Sequence, residues 1–143
     1  NEEDIKDIYN VDSDAFEDIW QFPRAALVKA IQQSAYTSVA ITDNRITGYQ
    51  ISSITEATAH VMRLAVSRDY QSRGIGRMLL SDTVAKMSEW HGIGQFTLNT
   101  QASNNGSQLL YRSFGFKTIQ PQIKVLHKSL AVDDQPAKHV KAP

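Results

Sequence analysis

The sequence predicts an α/β (α+β) fold in which a mixed, mostly antiparallel central sheet is flanked by helices. Three observations lead there. Residues 36–42, 46–54 and 59–66 read as consecutive strands separated by tight turns, so neighbours pair antiparallel. A glycine-bearing run, Gln71-Ser72-Arg73-Gly74-Ile75-Gly76, follows the apolar strand candidate 61–66. Beyond it Leu79, Leu80, Thr83, Val84, Met87 and Trp90 recur every three or four residues, which is a helical pattern.

Composition bounds the rest. The 143 residues suit one domain large enough to bury a core. Fifteen basic and fifteen acidic residues cancel, so neither a broad nucleic-acid surface nor a membrane surface is expected, and charge must be arranged locally. The absence of cysteine excludes disulfides, thiolate metal sites and a Cys nucleophile, while leaving the redox compartment open. No apolar run approaches the roughly 18–20 residues of a membrane span, and no signal peptide is visible, so a cytoplasmic location is the default. The chain starts at Asn1 rather than Met, and the expectation is that upstream residues were trimmed.

In chain order, residues 3–20 are helical in pattern through Ile5, Ile8, Tyr9, Phe16, Ile19 and Trp20. Asp12-Ser13-Asp14 is expected to interrupt them, ending one turn and capping the next. Pro23 suits the first turn of a second helix carrying Leu27, Val28 and Ile31. Asp43-Asn44-Arg45 and residues 55–58 are the turns of the three-strand run, with Gly48 inside the second strand. His91-Gly92-Ile93-Gly94 breaks the helix after the loop. Residues 96–100 are a candidate buried strand, and Asn104 opens a helix that ends at Gly115. Residues 116–119 and 123–127 are expected to be the last two strands, divided by Pro121. Residues 131–143 mix Asp, Lys, Pro and Ala without periodicity and read as a mobile tail, leaving 1–130 as the single domain.

A strand turning through glycines into a helix start is a way of building an anion site; on glycine spacing alone it is equally a plain strand-to-helix turn with two solvated arginines. The first helical N–H groups have no intrahelical partner and the dipole there is positive. Gly74 and Gly76 are expected to take positive φ and admit a ligand close to the backbone. Arg73 and Arg77 add charge. Several charge-assisted hydrogen bonds at about 1.5–3 kcal/mol each supply much of the roughly 8 kcal/mol that micromolar binding needs. A diphosphate fits such a loop. Position 79 is Leu, against a dinucleotide-binding fingerprint. No Gly-Lys-Ser/Thr follows, so this is not a nucleotide-hydrolysing phosphate loop.

The run 64–80, Leu-Ala-Val-Ser-Arg-Asp-Tyr-Gln-Ser-Arg-Gly-Ile-Gly-Arg-Met-Leu-Leu, resembles the acetyl-CoA-binding core of the GNAT N-acetyltransferase superfamily. Gln71, Gly74 and Gly76 match that family's Gln/Arg-x-x-Gly-x-Gly/Ala signature. Downstream, Asn104 through Tyr111, then Phe114-Gly115-Phe116, resemble its Asn-x-x-Ala-x-x-Leu-Tyr and Gly-Phe elements, with Ser107 in place of Ala. The resemblance spans about residues 4–130 and is nearest in pattern to the ribosomal-protein N-terminal amine acetyltransferases. It departs at the start, where the family's first strand has no counterpart: either that strand was removed or the sheet is one strand short.

The resemblance implies a sheet with splayed central strands and acetyl-CoA as cosubstrate, with no metal. The diphosphate would sit on Gln71, Ser72, Arg73, Gly74, Ile75, Gly76 and Arg77. The pantetheine arm would meet the backbone of Leu64, Ala65 and Val66, with Asn104 and Tyr111 towards its other end. Tyr111 matches the family's general acid. The base is open: Asn99 stands where those relatives carry Glu, His60 is the nearest titratable candidate, and Glu56 is weaker. Phe16, Trp20 and Phe22 either shape acceptor access or simply pack the core.

The function implied is transfer of an acetyl group from acetyl-CoA to a primary amine, by direct attack. An α-amine has an unperturbed pKa of about 7.7–8.0 against about 10.4 for lysine, so its neutral fraction at pH 7 is larger by a factor on the order of several hundred. A site without a strong base therefore favours a peptide N-terminus or another low-pKa small amine. The alternative is a catalytically silent module that binds acyl-CoA as a sensor or as part of a larger protein. The oligomeric state is open, a homodimer included.

Overall fold

The computed structural model describes residues 1–101 and 103–119. Their order is α1 (Glu2–Ala15), a 3₁₀ turn (Asp18–Trp20), α2 (Arg24–Gln33), β1 (Tyr36–Thr42), β2 (Arg45–Thr55) and β3 (Thr58–Val66). A second 3₁₀ turn (Arg68–Tyr70), α3 (Ile75–His91), β4 (Gln95–Leu98) and α4 (Asn105–Phe114) follow. The sheet runs β1-β2-β3-β4; the first two pairings are antiparallel and β3–β4 is parallel. Asp43 and Asn44, both at positive φ, make the tight β1–β2 turn that Asn and Asp tolerate.

Residues 2–15 form one helix, so Asp12-Ser13-Asp14 does not interrupt it. The reason lies in tertiary bonding. The Asp12 carboxylate is fully buried and accepts from Arg63, from the Tyr49 hydroxyl and from the Phe22 amide, so it is not available to cap a local turn. Residues 116–119 form no strand; the partner expected for them, 123–127, lies outside the described residues, as do the tail at 131–143 and the 1–130 boundary.

One packing detail organises the site. Between Ile51↔Arg63 and Ser52↔Val61 the β2–β3 register slips by one residue, leaving Met62 as a bulge in β3. Strand side chains alternate between faces, so one extra residue exchanges the faces. Before the bulge, Ala59 and Val61 pack on the side of α3 and α4, with Met87 and Leu80. After it, Ala65 joins Ile8, Val11 and Leu27 under α1 and α2, while Leu64 and Val66 turn to Ile75 and Leu79 of α3. The β3–β4 pairing ends at Val61↔Leu98, one residue before the bulge, whereas β3 runs on to Val66. β4 itself ends at Leu98, so the central strands part there and the later edge of β3 has no strand neighbour among the described residues.

Candidate active site

The glycine loop joins the end of β3 to α3. Gly74 is the residue before the helix and lies at φ 83°, in the left-handed region where a Cβ is strained. Its carbonyl accepts from the Met78 amide at 3.0 Å, which leaves the Ile75, Gly76 and Arg77 N–H groups as the unpaired first-turn donors of a 17-residue helix. No side chain caps them. Ser72 is also left-handed, at φ 61°. The Gln71 amide donates to the Val66 carbonyl at 2.9 Å, tying the loop to the end of β3. Gly76 departs from expectation, since its φ is not positive. It lies inside α3, and a Cβ there would come within 3.2 Å of Leu110 Cδ2, so its bare Cα lets α3 approach α4.

The two arginines are held at the rim. Arg73 lies 5.2 Å from the Tyr70 ring centroid. Arg77 lies 5.6 Å from that of Phe114 and donates to the Ser113 hydroxyl at 3.0 Å, so it links the loop helix to α4. Leu64, Ala65 and Val66 pair with Gln50, Tyr49 and Gly48 of β2 on one edge, and their other edge lies in the splay.

On α4, the Asn104 side chain accepts from the Ser107 amide at 3.1 Å and so caps its own helix. Tyr111 is buried against Val61 and Leu80, with its ring edge-on to Phe116 at 6.0 Å. Burial pushes the Tyr111 phenol above its usual range, and the Ser107 hydroxyl beside it only partly offsets this. The phenol is thus protonated at neutral pH, the state a proton donor requires. His60 bonds Thr97 through Nδ1 at 2.8 Å. By alternation it projects to the face opposite Val61, hence opposite Tyr111. Asn99 lies exposed past the end of β4, and Glu56 is an exposed turn residue at positive φ.

The structure thus brings together the loop, the end of β3 and α4 with Tyr111, and keeps His60 on the other face. Among the residues that carry fine structure, Arg63 escaped the sequence reading. Its signal was present: Asp12, four residues after Ile8, lies on the apolar stripe of α1, and Arg63 is a charge inside an otherwise apolar strand end.

Residues 5–116 match the model of the acetyltransferase (GNAT) family. The chain belongs to this family. The Salmonella typhimurium [ribosomal protein bS18]-alanine N-acetyltransferase is 34% identical over 86 residues, 59% of this chain and 57% of that protein. The N-alpha-acetyltransferase of Sulfurisphaera tokodaii is 33% identical over 84 residues, covering 59% and 47%. The chain therefore spans about half the length of these relatives. A Thermoplasma acidophilum PaiA N-acetyltransferase crystallised with coenzyme A superposes with a TM-score of 0.76 at 18% identity, over 84% of this chain and 87% of that one; this likeness speaks for the GNAT fold alone. No described helix is long and apolar enough to cross a membrane.

Proposed function

We propose that this GNAT chain moves an acetyl group from acetyl-CoA to the α-amine of a peptide N-terminus, the amine attacking the thioester directly. One observation carries the reading: the unpaired donors at the start of α3 stand at the end of the splayed β3 edge and against the helix that bears Tyr111. These residues fit the cosubstrate. The amides of Ile75, Gly76 and Arg77 would hold its diphosphate, with Arg73 and Arg77 supplying countercharge. The free backbone groups of 64–66 suit an amide-bearing arm, although the Val66 carbonyl already accepts from Gln71. When bound, acetyl-CoA supplies an acyl group activated as a thioester.

The chain's own part is positioning and proton supply. Tyr111, held neutral by burial, donates its proton to the departing sulfur. The neutral amine attacks, and an α-amine of about 7.7–8.0 needs little help to reach that form at neutral pH; after attack the nitrogen still has a proton to lose, which balances the one Tyr111 gives to the sulfur. His60 on the opposite face of the splay is the residue proposed to take that proton, directly or through water. The acceptors named in the two relatives, an alanine of a ribosomal protein and an N-alpha amine, belong to the same class.

The test is an acetyl-CoA titration followed by a thiol-release assay over peptides with free N-termini, peptides with only internal lysines, polyamines and aminoglycosides. Turnover on free N-termini with acetyl-CoA binding is expected. Acetylation confined to internal lysines would overturn the acceptor assignment, and binding without any transfer would favour a silent acyl-CoA module.

A further inference from the structure

Arg63 sits directly after the Met62 bulge, which turns it towards α1. Its guanidinium binds the Asp12 carboxylate in a fork, Nε to Oδ1 at 2.8 Å and Nη2 to Oδ2 at 2.9 Å, and Nη2 also donates to the Trp20 carbonyl at 2.7 Å. The same group lies 3.9 Å from the ring centroids of both Phe16 and Phe22. Asp12 in turn accepts from the Phe22 amide at 2.9 Å and from the Tyr49 hydroxyl. Burial alone would lower the Arg63 pKa, but the bonds to Asp12, with the charges around it, hold it above its ordinary value.

A buried ion pair is weak as a source of stability, because desolvation of two charges offsets their attraction. What this one provides is geometry. One planar group touches β3, α1 and three residues of the connection, Phe16, Trp20 and Phe22, and a lysine could not reproduce its fork together with two stacked faces. The connection packs on the strand at the residue before Leu64, where the β3–β4 splay has just opened.

We propose that Arg63 is a positioning residue: it locks the 16–22 connection to the cofactor strand, so that this connection serves as a fixed wall for the incoming acceptor. This rests on the acetyl-transfer reading above. Arg63 does not touch the reacting atoms. It acts through Trp20, Phe16 and Phe22, and its loss should weaken use of the acceptor while leaving acetyl-CoA binding intact, because its side chain projects to the α1 face whereas the loop opens α3.

The experiment compares wild type with Arg63→Lys and Tyr49→Phe, the latter removing a hydroxyl that bonds Asp12 and lies beside Arg63 but bonds nothing in the 16–22 connection, so that the Arg63–Asp12 fork and the Phe16 and Phe22 contacts are kept. In Arg63→Lys, kcat/KM for a peptide with a free N-terminal alanine should fall about 100-fold, the scale of a small misplacement. The acetyl-CoA Kd should stay within about twofold. Amide deuterium exchange should accelerate about tenfold or more in residues 16–22 and be unchanged in α3. Tyr49→Phe should leave the peptide kinetics and the exchange at 16–22 as in wild type. Unchanged peptide kinetics in Arg63→Lys, or the same loss in Tyr49→Phe, would overturn the proposal. If Arg63→Lys does not fold, Asp12→Asn/Arg63→Met removes both charges and leaves neither unpaired; it should show the same split, and wild-type kinetics there would overturn it equally. Should wild type not acetylate the peptide at all, the acceptor reading fails, and the exchange data alone still decide whether Arg63 holds the connection.

Discussion

The helices α3 and α4 begin in opposite ways. Asn104 bends its side chain onto the Ser107 amide and closes the start of α4 from within the chain. Gly74, at the equivalent place on α3, has no side chain to offer, and no side chain caps the first-turn amides. A helix that closes its own end has no electrostatic use for an anion there, whereas one that leaves its donors unpaired gains from one by both hydrogen bonding and dipole. The two helices touch through Gly76 and Leu110, so the open end of one lies beside the body of the other, where Tyr111 is. On this view α3 contributes its end and α4 a side chain.

The largest effect should come from the α4 side. Tyr111→Phe keeps the ring contacts to Val61 and Leu80 and removes the proton, so kcat should fall about 10²–10⁴-fold, as for loss of a general acid, with little change in acetyl-CoA affinity. The pH profile sharpens this. The rate should rise as the α-amine loses its proton, near pH 7.7–8.0 for an unperturbed group. It should fall again only above the ordinary phenol value of about 10, because burial raises Tyr111 and the acid is active while protonated. In Tyr111→Phe the alkaline fall should vanish; a profile and turnover identical to wild type would remove Tyr111 from the chemistry.

Next comes the α3 end. Aspartate tolerates the left-handed region better than most residues, yet any Cβ is strained there, so Gly74→Asp should fold with a loss of about 1–2 kcal/mol. Its carboxylate would face the same donors as the diphosphate, and acetyl-CoA affinity should drop about 100-fold, near 2.7 kcal/mol. Calorimetry with thermal melting separates the two quantities. Unchanged affinity would mean that the end of α3 is not where the cosubstrate sits, and the contrast with α4 would lose its functional meaning.

Most of this was legible before any coordinates because it is local. The Asp43-Asn44 turn, the glycines ending α3 and α4 at Gly92 and Gly115, the Asn104 start and the loop at 71–76 all depend on backbone preferences of the residues themselves. Failures came where a side chain's partner is distant in sequence. Asp12 reads locally as a cap, but Arg63 is 51 residues away and claims it. Gly76 reads as a loop glycine, but its reason is Leu110, on another helix. The Met62 bulge has no local signature at all; it follows from how β2 and β3 align, and it decides that Arg63 faces α1 and that Leu64 faces α3.

The smallest expected effect tests the capped end. Asn104 is given two duties: its side-chain oxygen caps α4, and the family resemblance puts it near the cosubstrate's arm, where its amide nitrogen is the donor left to meet it. Asn104→Ala removes both and should cost about 1 kcal/mol of stability, the usual value of a lost cap. Asn104→Asp keeps an oxygen for the Ser107 amide and adds favourable charge at a helix start, so it should melt at or above the wild-type temperature. Only the amide donor is gone in that variant, and a carboxylate stands in its place. If Asn104 meets the arm, acetyl-CoA affinity should fall in both variants, by about tenfold or less for one neutral hydrogen bond. If affinity falls in neither while Asn104→Ala loses stability, Asn104 serves α4 alone, and the division between a helix end turned to the ligand and one turned to its own chain is complete.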